Sequence, residues 1–134
     1  MKGIILASHG KLADGMMDTL KMFSGDIQQA DAICFLPGED MKEFLDKLEK
    51  AIDAVDTGDG VVVFCDLLFG SPCNCSGKLL GDSRYAGRVN VITGMNLPMI
   101  MEYETARTGG MKVEEVIETG QKGIVDFNAM LASR

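Results

Sequence analysis

The chain carries a single histidine, His9, which follows the apolar run Ile4-Ile5-Leu6-Ala7 and Ser8 and precedes Gly10. Neutral imidazole is a nucleophile and base near physiological pH, and its charge state answers to its neighbours, so a histidine at a strand end is a candidate reactive group. The competing reading is a surface histidine in a turn. Two other stretches bear on the choice. Asp66 ends the run Val61-Val62-Val63-Phe64-Cys65, and a carboxylate there can accept a hydrogen bond from one ring nitrogen, fixing the tautomer and stabilising positive charge on the ring. Gly70-Ser71-Pro72 reads as a helix start, with Ser71 a natural N-cap and Pro72 pre-shaped for the first helical position. The free amides of such a start, with the Ser71 hydroxyl, form an anion site. A nucleophilic imidazole, an orienting carboxylate and an anion cradle together suit phosphoryl transfer through phosphohistidine, which depends mainly on positioning and electrostatic stabilisation. Taken singly, Asp66 and Ser71 also read as ordinary capping and turn residues.

These three stretches must be brought together by the elements around them. Lys2 to Ala7 is a buried-strand pattern, and Ser8-His9-Gly10-Lys11 is the turn at its carboxyl end. Leu12, Met16, Met17, Leu20 and Phe23 then recur at helical spacing up to Ser24-Gly25. Ala32 to Leu36 is a second strand, closed by Pro37-Gly38. Asp40 with Glu43 three residues on marks a helix start, and Met41, Phe44, Leu45, Leu48, Ala51, Ile52 and Val55 form one apolar face behind it. Val61 to Cys65, apolar on both faces, suits the middle of a parallel sheet. A helix to about Leu80 follows Gly70, then a strand over Arg88 to Thr93, then Gly94-Met95-Asn96-Leu97-Pro98 and a helix running to about Thr108, and another helix carrying Val113, Val116 and Ile117. Ile124-Val125-Asp126-Phe127-Asn128 alternates like a last strand.

Repeated strand-helix alternation implies an α/β fold, a doubly wound, mostly parallel sheet with helices on both faces. Ligands bind such sheets outside the carboxyl ends of the strands, where the strand order reverses. With the order 2-1-3-4, His9 and Asp66 end neighbouring strands and face one crevice.

Length and composition agree. The 134 residues are expected to form one domain, spanning 1–134, with a core that needs neither disulfide nor metal. A net charge of -7 argues against nucleic acid or an anionic membrane surface as partner, so positive potential for an anion has to come from backbone amides. No apolar run has the length of a membrane span and no cleavable signal pattern follows Met1, which points to a cytoplasmic protein. Cys34, Cys65, Cys73 and Cys75 sit in or beside apolar segments, as buried thiols do. A metal site built from Cys73, Cys75, Cys65 and His9 is disfavoured, because the spacing is no zinc-knuckle pattern and Cys73 and Cys75 point about 200° apart on a helix. No cofactor is expected.

Ser8-His9-Gly10, Pro37-Gly38-Glu39, Asp66-Leu67 with Gly70-Ser71-Pro72 and Asn74, Gly94-Met95-Asn96-Leu97-Pro98-Met99 and Glu118-Thr119-Gly120, in this order and spacing, resemble the mannose-family enzyme IIA of the bacterial phosphoenolpyruvate-dependent sugar phosphotransferase system. The resemblance covers essentially the whole chain. It implies that His9 accepts a phosphoryl group on its solvent-facing ε nitrogen from the phosphorylated histidine-containing carrier protein and passes it to an enzyme IIB component. It further implies that Asp66 orients the ring and that Gly70 and Ser71 hold phosphate oxygens. It also implies a homodimer that exchanges the last strand, Ile124 to Asn128, as an antiparallel edge. Since the chain stops at Arg134, the IIB component is expected to be a separate polypeptide. Sugar choice would lie in membrane components, which leaves mannose, fructose, sorbose and amino sugars equally open. Phe69 departs from a glycine common in the family, and Cys73 and Cys75 from small or aromatic residues. Two other readings are the phosphocarrier subunit of a dihydroxyacetone kinase and a flavodoxin-like module that holds a nucleotide or flavin without chemistry. The latter lacks a hydroxyl-rich phosphate loop after the first strand and a Gly-rich dinucleotide fingerprint.

Overall fold

The alternation of apolar side chains along the strands decides the architecture seen in the computed structural model, which describes residues 1–133. In chain order the elements are β1 (Gly3–His9), α1 (Leu12–Ser24), β2 (Ala30–Phe35), α2 (Met41–Val55), β3 (Val61–Cys65), α3 (Ser71–Leu80), β4 (Val89–Ile92), α4 (Leu97–Ala106), a 3-10 turn (Arg107–Gly109), α5 (Val113–Lys122) and α6 (Phe127–Ala132). The four strands are parallel in the order β2-β1-β3-β4. Successive residues of a strand point to opposite faces, and both faces are covered. Ile5, Ala7, Val61, Val63 and Cys65 pack against α2 and α3 through Phe44, Leu48, Ile52, Cys75 and Leu79. Ile4, Leu6, Val62 and Phe64 pack against α1, α4 and α5 through Met17, Leu20, Ile100, Tyr103 and Val116. Side chains such as Phe44, Leu48 and Ile52 are fully or almost fully buried, each contributing about 1.5–3 kcal/mol by leaving water.

α2 begins as its sequence predicts, with the Asp40 carboxylate accepting the Glu43 amide at 2.8 Å. α3 does not begin as expected. Its N-cap is Gly70, in extended conformation, and the Gly70 carbonyl accepts the Asn74 amide at 2.9 Å, so Ser71 and Pro72 occupy the first two helical positions. The strand limits shift by one or two residues, β2 starting at Ala30 and β4 running only from Val89 to Ile92, and α4 tightens into the 3-10 turn after Ala106.

The expected last strand over Ile124 to Asn128 is absent from this chain. The sheet ends at β4, and Phe127–Ala132 is a short helix capped by the Asp126 carboxylate, which accepts the Ala129 amide at 3.2 Å. Alternation over five residues needs a neighbouring strand to be expressed, and none lies beside this segment. Its apolar side chains are left exposed, Ile124 at 75% and Phe127 at 63%.

Candidate functional site

The carboxyl edge of the two central strands is where the candidate residues meet. In the β1–β3 register Ala7 lies opposite Cys65, where β3 ends, while β1 continues beside β2 as far as His9. The Asp66 amide donates to the Ala7 carbonyl at 3.2 Å, which carries the Asp66 side chain under His9. One carboxylate oxygen, Oδ2, then accepts both the His9 backbone N–H at 2.8 Å and Nδ1 of the ring at 2.9 Å. An ionised carboxylate can only accept, so Nδ1 bears the proton of the neutral ring and Nε2 the lone pair.

Burial of Asp66, whose side chain is 9% exposed, pushes its pKa up. The hydrogen bonds from the His9 amide, the His9 ring and the Leu67 amide outweigh that and hold the carboxyl below its ordinary value. It is therefore an anion in the range where imidazole titrates. The His9 side chain is 41% exposed and Nε2 has no hydrogen-bond partner among the described residues.

Gly70 closes the site from α3. A Cβ at this position would stand 2.6 Å from His9 Cε1 and 3.3 Å from Nε2, so only a residue without a side chain leaves the ring where it is. The anion cradle differs in detail from the sequence reading. The Gly70 amide is used in a turn, donating to the Leu67 carbonyl at 3.2 Å. The amides of Ser71 and Cys73 have no acceptor among the described residues, and they stand at the positive end of a ten-residue helix.

Phe69 lies in the left-handed backbone region, with φ of 63°. The Asn74 side-chain amide donates to the Phe69 carbonyl at 3.0 Å and holds the loop in place. The Phe69 ring, 77% exposed, stands with the exposed Leu67 and Leu68 beside Asp66, and Leu12 at the start of α1 and Leu36 just after β2 are exposed too.

Two residues important to the site were not singled out from the sequence. Ser8 is fully buried, and its Oγ accepts the Ala13 amide at 2.7 Å while donating to the Gly10 carbonyl at 3.1 Å. It thereby ties the first turn of α1 to the end of β1 that holds His9, at a spacing longer than that of an ordinary N-cap. Phe35 sets its ring edge-on to His9, with centroids 6.3 Å apart, and its carbonyl accepts the Gly10 amide at 2.8 Å.

Other motif residues do structural work. Asn96 caps α4 by accepting the Met99 amide, and its side-chain amide donates to the Gly120 carbonyl at 2.8 Å. Glu39 pairs with Lys47 at 2.7 Å. Cys65 and Cys75 are buried in one core and Cys73 is half-buried against it, and burial drives the Cys65 thiol up to about 12.

Similarities to known proteins agree with this geometry. The chain matches the family model described as PTS system fructose IIA component over residues 3–121. It is 30% identical over 130 residues to the mannose-specific EIIAB component of Escherichia coli K12, with 94% of this chain covered, and spans only 39% of the length of that relative. It is 34% identical over 98 residues to the sorbose-specific EIIA component of Klebsiella pneumoniae, covering 73% of this chain and 69% of the other. The crystal structure of the phosphotransferase system component EIIA from Streptococcus agalactiae superposes with a TM-score of 0.86 at 29% identity, covering 96% of this chain and 99% of that one. A family match over nearly the whole length, carried by a fold that sets an imidazole on a carboxylate at the sheet's reversal, makes this chain a member of the phosphotransferase-system fructose IIA component family.

Proposed function

We propose that this chain is a phosphoryl carrier, taking a phosphoryl group onto Nε2 of His9 from the phosphorylated histidine-containing carrier protein and passing it to an enzyme IIB component during sugar uptake. The observation that carries the proposal is the 2.9 Å contact between Nδ1 and Asp66. It leaves Nε2 as the ring's free nucleophile and provides a counter-charge for the ring once that nitrogen is substituted. In the transfer the Nε2 lone pair attacks phosphorus, a bond to Nε2 forms as the donor's phosphorus–nitrogen bond breaks, and the Nδ1 proton stays against Asp66. Phosphate oxygens would then lie against α3, where the Ser71 amide and hydroxyl and the Cys73 amide are donors. Gly70 serves by its lack of a side chain. The exposed Leu67, Leu68 and Phe69 give the incoming protein an apolar surface next to the reacting atom. The chain acts as one domain in the cytoplasm. It forms a homodimer that covers the exposed Ile124, Val125 and Phe127.

The test is labelling. With phosphoenolpyruvate, the general phosphotransferase enzyme and the carrier protein, the wild type is expected to gain an acid-labile, base-stable phosphoryl group, and His9→Ala to gain none. Equal labelling of the two proteins would overturn the proposal.

A further inference from the structure

At the end of the sheet opposite His9 lies a cavity of about 460 Å³, in the size range of small-molecule sites. It is lined by Lys2 before β1, Asn90 on β4, Tyr103 on α4, Arg107 in the 3-10 turn, and Lys112 and Glu114 at the start of α5. Three cations and one carboxylate therefore face one space, in a chain whose acidic residues outnumber its basic ones by 20 to 13.

The positive charge there makes no ion pair among the described residues, although the Glu104 carboxylate lies near enough to Arg107 to act on it. Arg107 is only 6% exposed, yet its guanidinium donates to neutral groups alone, the carbonyls of Lys2 at 3.0 Å, Gln29 at 3.2 Å and Gln28. The Lys2 ammonium donates to the Asn90 side-chain oxygen at 3.1 Å. Among the described residues none of Lys2, Arg107 and Lys112 takes part in an ion pair. A cation buried this deeply ordinarily has an anionic partner.

A second observation points the same way. Tyr103 is 2% exposed and lines the cavity; its hydroxyl bonds to none of the described residues and, since every enclosed side-chain polar atom among them is paired, it opens onto the cavity itself. A tyrosine whose body is buried to this extent usually directs its hydroxyl to a partner. The amides of Val113 and Glu114, in the first turn of the ten-residue α5, are likewise without acceptors among the described residues. Hydroxyl, amides, ammonium and guanidinium are all donors, and Glu114 is the one acid among the residues lining the space.

We propose that this cavity is a binding site for a small molecule bearing a phosphate dianion, remote from His9 and separate from the phosphoryl relay. A dianion matches the net excess of two positive charges among Lys2, Arg107, Lys112 and Glu114. It also has enough oxygens to accept from the Tyr103 hydroxyl, the Lys112 ammonium and the first amides of α5 together. The seven residues of β1 separate the site from His9, roughly 20 Å at the rise of a strand.

The test uses the intact chain, isotopically labelled, in amide-resolved NMR titrations with inorganic phosphate, with a hexose phosphate, and with chloride at matched ionic strength. Saturable shifts are expected at Asn90 and at Gly110 to Glu114 with the phosphate probes and not with chloride. Lys112→Gln and Tyr103→Phe are each expected to weaken this binding by about fivefold to tenfold, leaving any response near Ser71 as in the wild type. Lys112 is exposed, so its replacement reports on binding even where Tyr103→Phe disturbs packing. Tighter binding of the hexose phosphate would identify a phosphate ester as the occupant, and equal binding inorganic phosphate. No saturable shift at these residues, the same shift with chloride, or wild-type affinity in Lys112→Gln would overturn the proposal.

Discussion

His9 is held through its backbone and its ring by one oxygen atom, Asp66 Oδ2, so replacing that carboxylate changes chain path and ring orientation together. Asp66→Asn keeps the size and one acceptor but lets the amide present a donor to the ring, which favours the wrong tautomer. Phosphoryl transfer is expected to slow on the order of 10²- to 10⁴-fold, as when other orienting carboxylates are replaced, with a loss of about 1–2 kcal/mol in stability from the weakened charge-assisted bonds. Rapid-quench transfer rates and denaturant unfolding check the two parts, and unchanged transfer would remove Asp66 from the mechanism. The sign of its pH dependence follows from the depressed carboxyl pKa. Its contribution to stability is fully present above the unfolded value near ~3.9 and is lost as pH falls through the lower folded value. Gly70→Ala is the sharper test of geometry. The added methyl would stand 2.6 Å from Cε1, so the ring must swing off Asp66, and labelling should fall at least about tenfold while thermal unfolding stays within about 1 kcal/mol of wild type. Labelling at the wild-type rate would mean that the ring has room to yield. His9 and Asp66 were legible because both stand at the ends of apolar runs. Ser8 and Phe35 were not, because their roles are contacts across the β1–α1 turn and the β1–β2 pair that no local pattern encodes.

The loop between β3 and α3 is the element on which the site depends most, and it contains Phe69, which with Gln29 is one of two non-glycine residues in left-handed conformation among the described residues. That conformation costs a non-glycine residue about 1–2 kcal/mol. Phe69→Gly is therefore expected to stabilise the fold by about 1 kcal/mol while raising the carrier-protein concentration needed for half-maximal transfer, since an exposed aromatic surface is lost. Chemical denaturation and transfer rates against carrier concentration separate the effects. A variant that is less stable and transfers with unchanged concentration dependence would refute the reading. Element by element, helices with continuous apolar faces and a capping pair, such as α2, were fully legible. The start of α3 was displaced by one residue because Gly70 could supply the extended cap while Ser71 entered the helix. In the single chain the segment from Ile124 pairs with no strand, since an exchanged strand needs the backbone of a second chain, and Asp126 caps a local helix instead.

For the molecule as a whole, strand-helix alternation made the parallel sheet legible, while the order β2-β1-β3-β4, supposed from the sequence and observed in the structure, brings Asp66 to His9. What alternation could not convey is the far end of the sheet, where Lys2, Tyr103 and Arg107 are 101 or more residues apart from first to second and meet only through the fold. The exposed apolar side chains of the last segment belong to the same scale. If a second copy covers Ile124, Val125 and Phe127, sedimentation at micromolar concentration should show a dimer, and Phe127→Asp should shift it to monomer; a stable wild-type monomer would exclude the assembly. The buried Ser8 has a consequence for the protein in motion. With its hydroxyl tied to both Gly10 and Ala13, and Gly10 tied to Phe35, the turn bearing the imidazole has no slack. On the proposed function, a backbone held this closely leaves a partner to approach the imidazole in the correct orientation. The tempo of such a relay is set in the surrounding solution, by encounter frequency, viscosity and the abundance of the proteins on either side of it.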